Sequence, residues 1–265
     1  MPATNSSTVS APETSVNAPA LPIVFLVDVD YTLIENDRIQ EDLRDHLGRE
    51  YGVECRDRYW AIQEQLMREL GYRDYLGALQ QYRAEHPTDV RLLAMSSFLL
   101  DYPFADRLYP GALDVLARLR SWGPTVILSD GDVVFQPRKV ERSGIYKAVD
   151  GHVLIYIHKE DALEDVQQRY PSEQYVLIDD KLRILTAVKK HWGDRVTTVF
   201  PRQGKFANNP AVVAANPEPD ITIEDISDVL AMELATLLGT KAKSSPRWNY
   251  EREESISRSW PEPLA

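Results

Sequence analysis

Two aspartates, Asp28 and Asp30, follow the apolar run VFLV in "VFLVDVDYTL" (residues 24–33) and stand two positions apart. An extended chain alternates its side chains between faces, so residues two apart share one face. Ionised carboxylates are costly to bury without compensation, and this pair therefore needs a reason for its place. Three further apolar runs end in reactive groups: Ser129 with Asp130 after TVIL, His158 with Lys159 after HVLIYI, and Asp179 with Asp180 after YVLI. If these runs are neighbouring strands of one parallel sheet, their carboxyl ends open on a single crevice, where such sheets bind ligands. Carboxylates gathered there repel one another and resist ionising together. A hard divalent cation removes that conflict, and Mg²⁺ takes oxygen ligands. A lysine beside such a cluster answers a visiting anion. Metal, lysine, hydroxyl and a spare carboxylate together suit phosphoryl transfer, in which the protein mainly positions groups and neutralises charge.

The elements that must position these groups are legible from periodicity. A first strand spans about residues 22–28, and a helical period then holds to about residue 107. Ile39, Leu43 and Leu47 mark one helix; Tyr59, Ile62, Leu66 and Leu70 mark a second, closed by Gly71. Tyr75, Leu79 and Tyr82 give a third, stopped before Pro87, and "TDVRLLAMSSFLLDYP" gives a fourth with Thr88 as N-cap. From residue 108 strands and helices alternate. "YPGALDVLARLRSWG" is a helix with Leu113, Leu116 and Leu119 on its apolar side, followed by the strand "TVILSDGD" (125–132). A helix beginning at "PRKVERSGI" leads to the strand "HVLIYIHKE" (152–160), and the helix "DALEDVQQRY" leads to the strand "YVLIDDKL" (175–182). The helix "RILTAVKKHWG", the strand "VTTVF" (196–200), and then "DITI" (220–223) with "DISDVLAMELATLL" complete the series. The pattern predicts an α/β fold: a Rossmann-like parallel sheet with helices on both faces and an inserted all-helical cap. The division expected is a disordered tail at 1–20, a core built from 21–35 and 108–240, the cap at 36–107, and a polar tail at 241–265.

Composition narrows the partners. The chain has 265 residues, 43% of them hydrophobic, enough for a sizeable core. Its net charge of −11 repels a phosphate backbone, so nucleic-acid binding driven by bulk charge is not expected. One cysteine allows neither an internal disulfide nor a thiolate metal site. No apolar run approaches the ~20 residues that span a bilayer, and the first residues lack the basic start and apolar stretch of a secretory signal. The expectation is a soluble cytoplasmic protein with no membrane partner.

The order of the motifs resembles the haloacid dehalogenase superfamily, in its branch with a helical (C1-type) cap. Asp28-Val29-Asp30-Tyr31-Thr32-Leu33, the strand ending in Ser129, Lys159, and Ile178-Asp179-Asp180 match its four motifs over roughly residues 22–235. The resemblance implies that Asp28 is the nucleophile that takes a phosphoryl group as an aspartyl phosphate. It implies that Asp30 protonates the leaving oxygen and then activates water. Thr32 would orient the loop around Asp30, and Thr32, Ser129 and Lys159 would form the phosphate-binding set. Asp28, the Asp30 backbone carbonyl and Asp179 would hold Mg²⁺, with Asp180 close by or acting through water. Dehalogenases of this superfamily lack the second acid because a halide leaves without a proton, so Asp30 favours phosphate-ester chemistry. Two positions depart from the pattern: Tyr31 stands where many members carry a small or polar residue, and Glu160 follows Lys159 where many carry proline. Lys139, ten residues after Ser129 in a predicted helix, competes for the lysine role; Lys159, after an apolar run, is preferred.

Other motifs argue little. Receiver domains also combine acids, a hydroxyl and a lysine, but in a different order. No G-x-G-x-x-G follows the first strand, and no P-loop sequence occurs. Arg202 and Lys205 in "PRQGK" follow a strand and stand as candidates for a substrate's anionic tail, a plain surface loop being the alternative. The expected function is Mg²⁺-dependent hydrolysis of a small phosphorylated metabolite. A phosphomutase or phosphotransferase on the same scaffold, and a non-catalytic binding or regulatory protein, are the alternatives.

Overall fold

The structure is a computed structural model and describes residues 22–239. The two tails expected at 1–20 and 241–265 lie outside the described residues. Strand β1 (Val24–Val27) is followed by four helices, α1 (Asn36–Glu50), α2 (Val53–Leu70), α3 (Tyr75–Glu85) and α4 (Leu92–Asp101). Helix α5 (Ala112–Arg120) then leads into β2 (Thr125–Asp130), α6 (Phe135–Arg142), α7 (Ile145–Ala148) and β3 (Val153–Tyr156). Next come α8 (Leu163–Arg169), β4 (Tyr175–Ile178), α9 (Leu182–Trp192), β5 (Val196–Pro201), the short α10 (Gly204–Ala207) and β6 (Ile221–Ile223).

The six strands form one sheet in the order β3-β2-β1-β4-β5-β6, and every pair is parallel. Both faces are covered, which is why the strands read as continuous apolar runs and not as alternations. Phe25, Val27, Ile127, Val176 and Ile178 join one buried cluster with α5, α6 and α7 and with the apolar stripes of the inserted helices. Val24, Leu26, Val126, Leu128 and Leu177 join a second cluster with α8 and α9. β1 lies between β2 and β4, where the strand order reverses. A crevice forms at such a reversal beyond the carboxyl ends of the strands, and Asp28, Asp130 and Asp179 stand there.

Several local expectations are corrected. The fourth helix begins at Leu92, and Thr88 does not cap it. Arg91 holds the cap position without a side-chain cap bond, and Asp89 before it accepts from the Arg91 N–H at 3.1 Å and from its guanidinium at 2.7 and 2.8 Å. On α5 the buried stripe is Ala112, Val115, Leu116 and Leu119, while Leu113 is exposed. The stretch from Ile226 forms a 3₁₀ turn (Ile226–Ala231) and one short helix (Leu234–Leu237) in place of a continuous helix. Among the described residues no helix is long and apolar enough to cross a membrane.

Candidate active site

The residue after β1, the residue after β4 and the turn after β3 meet around one amine. Lys159, fully buried, places its Nζ 2.5 Å from Asp28 Oδ1 and 2.6 Å from Asp179 Oδ2, and donates to the Leu128 carbonyl at 3.0 Å. The backbone continues the sheet ladder here. The Asp28 N–H donates to the Ile178 carbonyl and the Asp179 N–H to that of Val199, so these side chains are aimed by strand register and not by a flexible loop. Thr32 ties the acids together: its hydroxyl donates to Asp28 Oδ2 at 3.3 Å and accepts from the Asp180 N–H at 3.2 Å. Asp179 Oδ1 accepts from the Lys181 N–H at 2.8 Å.

Asp28, Asp179 and Asp180 each offer an oxygen within 4.8 Å of the other two. Both Asp180 oxygens are buried and have no hydrogen-bond partner among the described residues. Burial and the charges of Asp179 and Asp28 push the Asp180 pKa well above the ordinary carboxylate value. Burial pushes Asp179 up to about 6, Lys159 opposing and Asp28 adding to the shift. For Lys159, burial alone would favour the neutral amine, but Asp179, Asp28 and Asp130 outweigh it and raise its pKa above the ordinary range. The surrounding acids are balanced separately: Asp130 Oδ2 lies 3.7 Å from Lys181 Nζ, and Asp30 Oδ1 lies 2.5 Å from Lys139 Nζ. With all five carboxylates ionised, they outnumber the three ammonium groups by two charges, which is the charge of one divalent cation. The orphaned Asp180 oxygens and the all-oxygen donor set fit Mg²⁺.

The remaining candidates fall into place unevenly. Ser129 is buried at the end of β2, and its hydroxyl accepts from Gln136 Nε2 at 2.9 Å and donates to the Asp130 carbonyl at 3.3 Å. Asp30 does not join the acid cluster through its carboxylate, which belongs to Lys139. Lys205 lines the cavity described next, whereas Arg202 lies at an exposed edge 3.3 Å from Glu224 and is not among the lining residues.

A cavity of about 460 Å³ lies against this cluster. Asp30, Tyr31, Asp130, Lys139 and Lys181 line it from the sheet end, and Met67, Tyr72, Arg73 and Tyr75 line it from the α2–α3 connection. Asp28 lies one layer below the lining, bonded to Lys159, whose own N–H donates to the lining residue Asp130 at 2.8 Å. Tyr31, the departure noted in the first motif, has φ +63. Its ring stands edge-on to Phe206, and its hydroxyl donates to Asp37 at 2.8 Å. An ideal Cβ on Gly204, itself at φ +75, would lie 2.7 Å from the Tyr31 ring, so the two close approaches are made for each other. Sequence reasoning passed over Tyr31, Gln136, Lys181 and Arg73 as site residues and ranked Lys139 second. The signal for Lys139 was a basic residue on a buried stripe: Phe135, Gln136, Lys139 and Val140 form one buried face of α6.

Comparison with known proteins agrees with this fold. No family model and no curated protein matches the chain. Among solved structures, a haloacid dehalogenase-like hydrolase from Burkholderia xenovorans is 59% identical, covering 80% of this chain and 99% of its own, with a TM-score of 0.77. A HAD-hydrolase of Bacillus subtilis bound to magnesium (14% identity, 80% and 98% covered, TM-score 0.53) shares the fold. So does the L-2-haloacid dehalogenase of Xanthobacter autotrophicus (16% identity, 79% and 97% covered, TM-score 0.51). The chain belongs to the haloacid dehalogenase-like hydrolases.

Proposed function

We propose that this protein is a Mg²⁺-dependent phosphatase of small phosphomonoesters that works through an aspartyl phosphate on Asp28. The observation that carries this reading is the contrast between two carboxylates two residues apart. Asp28 is buried among acids and held by Lys159, whereas the Asp30 side chain is 22% exposed, pairs with Lys139 and lines the cavity. Two carboxyl groups given different surroundings suit two different tasks.

In the first step an Asp28 oxygen attacks phosphorus, the bond from phosphorus to the leaving oxygen breaks, and Asp30 gives that oxygen a proton. In the second step Asp30 takes a proton from water, the water oxygen attacks phosphorus, and the bond to Asp28 breaks to release phosphate. Lys159 holds Asp28 in line, and Ser129, Thr32 and Lys159 serve the phosphoryl oxygens. Mg²⁺, held by Asp28, Asp179 and Asp180 with the Asp30 carbonyl, supplies charge neutralisation when bound. The inserted segment 36–107 covers the cavity as a cap and excludes bulk water. Some structural neighbours are haloacid dehalogenases, but a halide leaves without a proton and would give Asp30 no first-step task. The phosphorylated metabolite is small because the cavity is.

The test is phosphate release from a panel of phosphomonoesters, with chloride release from 2-chloropropionate in parallel. Turnover of phosphate esters by the parent, its loss in EDTA and its loss in Asp28→Asn support the reading. Equal phosphate release by parent and variant, or chloride release without phosphate release, overturns it. Phosphoryl transfer to an added alcohol without free phosphate would indicate a phosphotransferase instead.

A further inference from the structure

The cavity has a second pole of charge away from the acid cluster. Arg73, in the turn between α2 and α3, and Lys205, in α10, both line it from opposite parts of the fold. Arg73 spends Nη2 on Glu64 at 3.1 Å, and its Nη1 is buried with no hydrogen-bond partner among the described residues. Lys205 donates no hydrogen bond within the described residues. It lies 4.0 Å from Asp37 and 5.3 Å from the ring centroids of both Tyr31 and Phe206. Burial lowers the Lys205 pKa, and the charge of Arg73 lowers it further, so the two cations feel each other across the cavity. Their carboxylate partners do not cancel them. The Glu64, Asp37 and Lys205 side chains are 49%, 44% and 38% exposed and screened by water, whereas that of Arg73 is only 18% exposed. Two like charges with donors left over are costly until an anion joins them.

We propose that Arg73 and Lys205 form a subsite for a second anion, so that the substrate is a phosphomonoester carrying a carboxylate. This rests on the phosphatase reading: the phosphoryl end lies toward Asp30 and Asp28, and the carboxylate lies between the two cations. A carboxylate suits the pair because its two oxygens can accept from the two donors left over, Arg73 Nη1 and Lys205 Nζ. Tyr31 joins the two ends: it follows Asp30 directly, and Lys205 Nζ lies 5.3 Å from its ring centroid. Met67, Tyr72 and Phe135 line the same cavity and give its middle an apolar wall.

The experiment measures binding by calorimetry in Mg²⁺, in an Asp28→Asn background that does not turn substrate over. Two matched pairs of probes differ by the carboxylate: 3-phosphoglycerate against glycerol 3-phosphate, and O-phosphoserine against O-phosphoethanolamine. At least one carboxylated member should bind about 10-fold tighter than its partner, the size of one charge-assisted hydrogen bond. Arg73→Gln and Lys205→Gln, each added separately, should remove most of that preference and leave the carboxyl-free probe unchanged. Equal affinities within both pairs, no binding of any probe, or a preference that survives both substitutions overturns the subsite. The parent protein's hydrolysis of p-nitrophenyl phosphate decides the phosphatase reading separately. Hydrolysis without carboxylate preference leaves that reading standing and removes the subsite. Preference without hydrolysis does the reverse.

Discussion

Asp180→Asn should make the protein more stable without metal and less stable with it. Asp180 is 1% exposed, both its oxygens lack hydrogen-bond partners among the described residues, and Asp179 and Asp28 lie beside it. Its charge therefore opposes folding until a cation arrives. A buried charged group left unsatisfied costs on the order of 3 kcal/mol, and a neutral amide in the same place about 1–2 kcal/mol. The difference, about 1–2 kcal/mol, is the gain expected for the variant in EDTA at pH 8. A cation bound only by the folded state adds about 2.7 kcal/mol at a hundred times its dissociation constant. The parent collects that term, and the variant, one ligand charge short, collects much less. Urea unfolding across a Mg²⁺ series should give two stability curves that cross. A variant less stable than the parent in EDTA, or an equal Mg²⁺ increment in both proteins, would refute the reasoning.

Three further outcomes are expected. Lys159→Met strips an amine in contact with both Asp28 and Asp179 and should cost about 3–5 kcal/mol in EDTA, the usual result of leaving one side of a buried ion pair; a loss under about 1 kcal/mol in urea unfolding contradicts this. Burial holds Asp179 at about 6 in the folded chain, against about 3.9 unfolded. The folded state therefore binds the extra proton, and metal-free stability should fall as pH rises from about 4 to beyond 6. The Mg²⁺ increment in Tm should grow over the same interval, and an increment independent of pH would argue against a carboxylate metal site. Gly71 has φ +82, and an added Cβ would lie 2.9 Å from His158 Cε1, so Gly71→Ala should cost about 1 kcal/mol, a drop in Tm of roughly 2–4 °C. Because Gly71 and His158 meet at the cavity edge, the same variant should raise KM for p-nitrophenyl phosphate, and an unchanged KM would separate this contact from substrate entry.

The strands and their order of use were legible because a two-sided sheet demands unbroken apolar runs, and a polar group at the end of such a run is conspicuous. Asp28, Lys159, Asp179 and Asp180 were visible on that ground, and the structure brings them together. The groups that share the cavity with them were not. Lys139 hides in a helix where basic residues usually face solvent, and only the pairing of α6 with the loop after β1 turns it onto Asp30. Tyr31 was visible as a departure from the family pattern, but its left-handed backbone and its close approach to Gly204 in a distant segment were not. Arg73 belongs to a turn whose place over the crevice is set by how α2 and α3 pack, a long-range property that no local pattern carries. Thr88 misses the cap because the fourth helix starts four residues later, at Leu92, with Arg91 at the cap position and no side chain bonded to the first turn.

The central claim, a phosphoryl group carried by Asp28 and discharged by Asp30, is tested most directly in Asp30→Asn. p-Nitrophenolate leaves without needing a proton, so this variant should still form the phosphoryl-enzyme from p-nitrophenyl phosphate but release phosphate slowly. Mass spectrometry of the acid-quenched protein should find the added phosphoryl group on the peptide that contains Asp28, and find none when Asp28 is also changed to Asn. An unmodified peptide during turnover, or the group on another residue, would contradict the account.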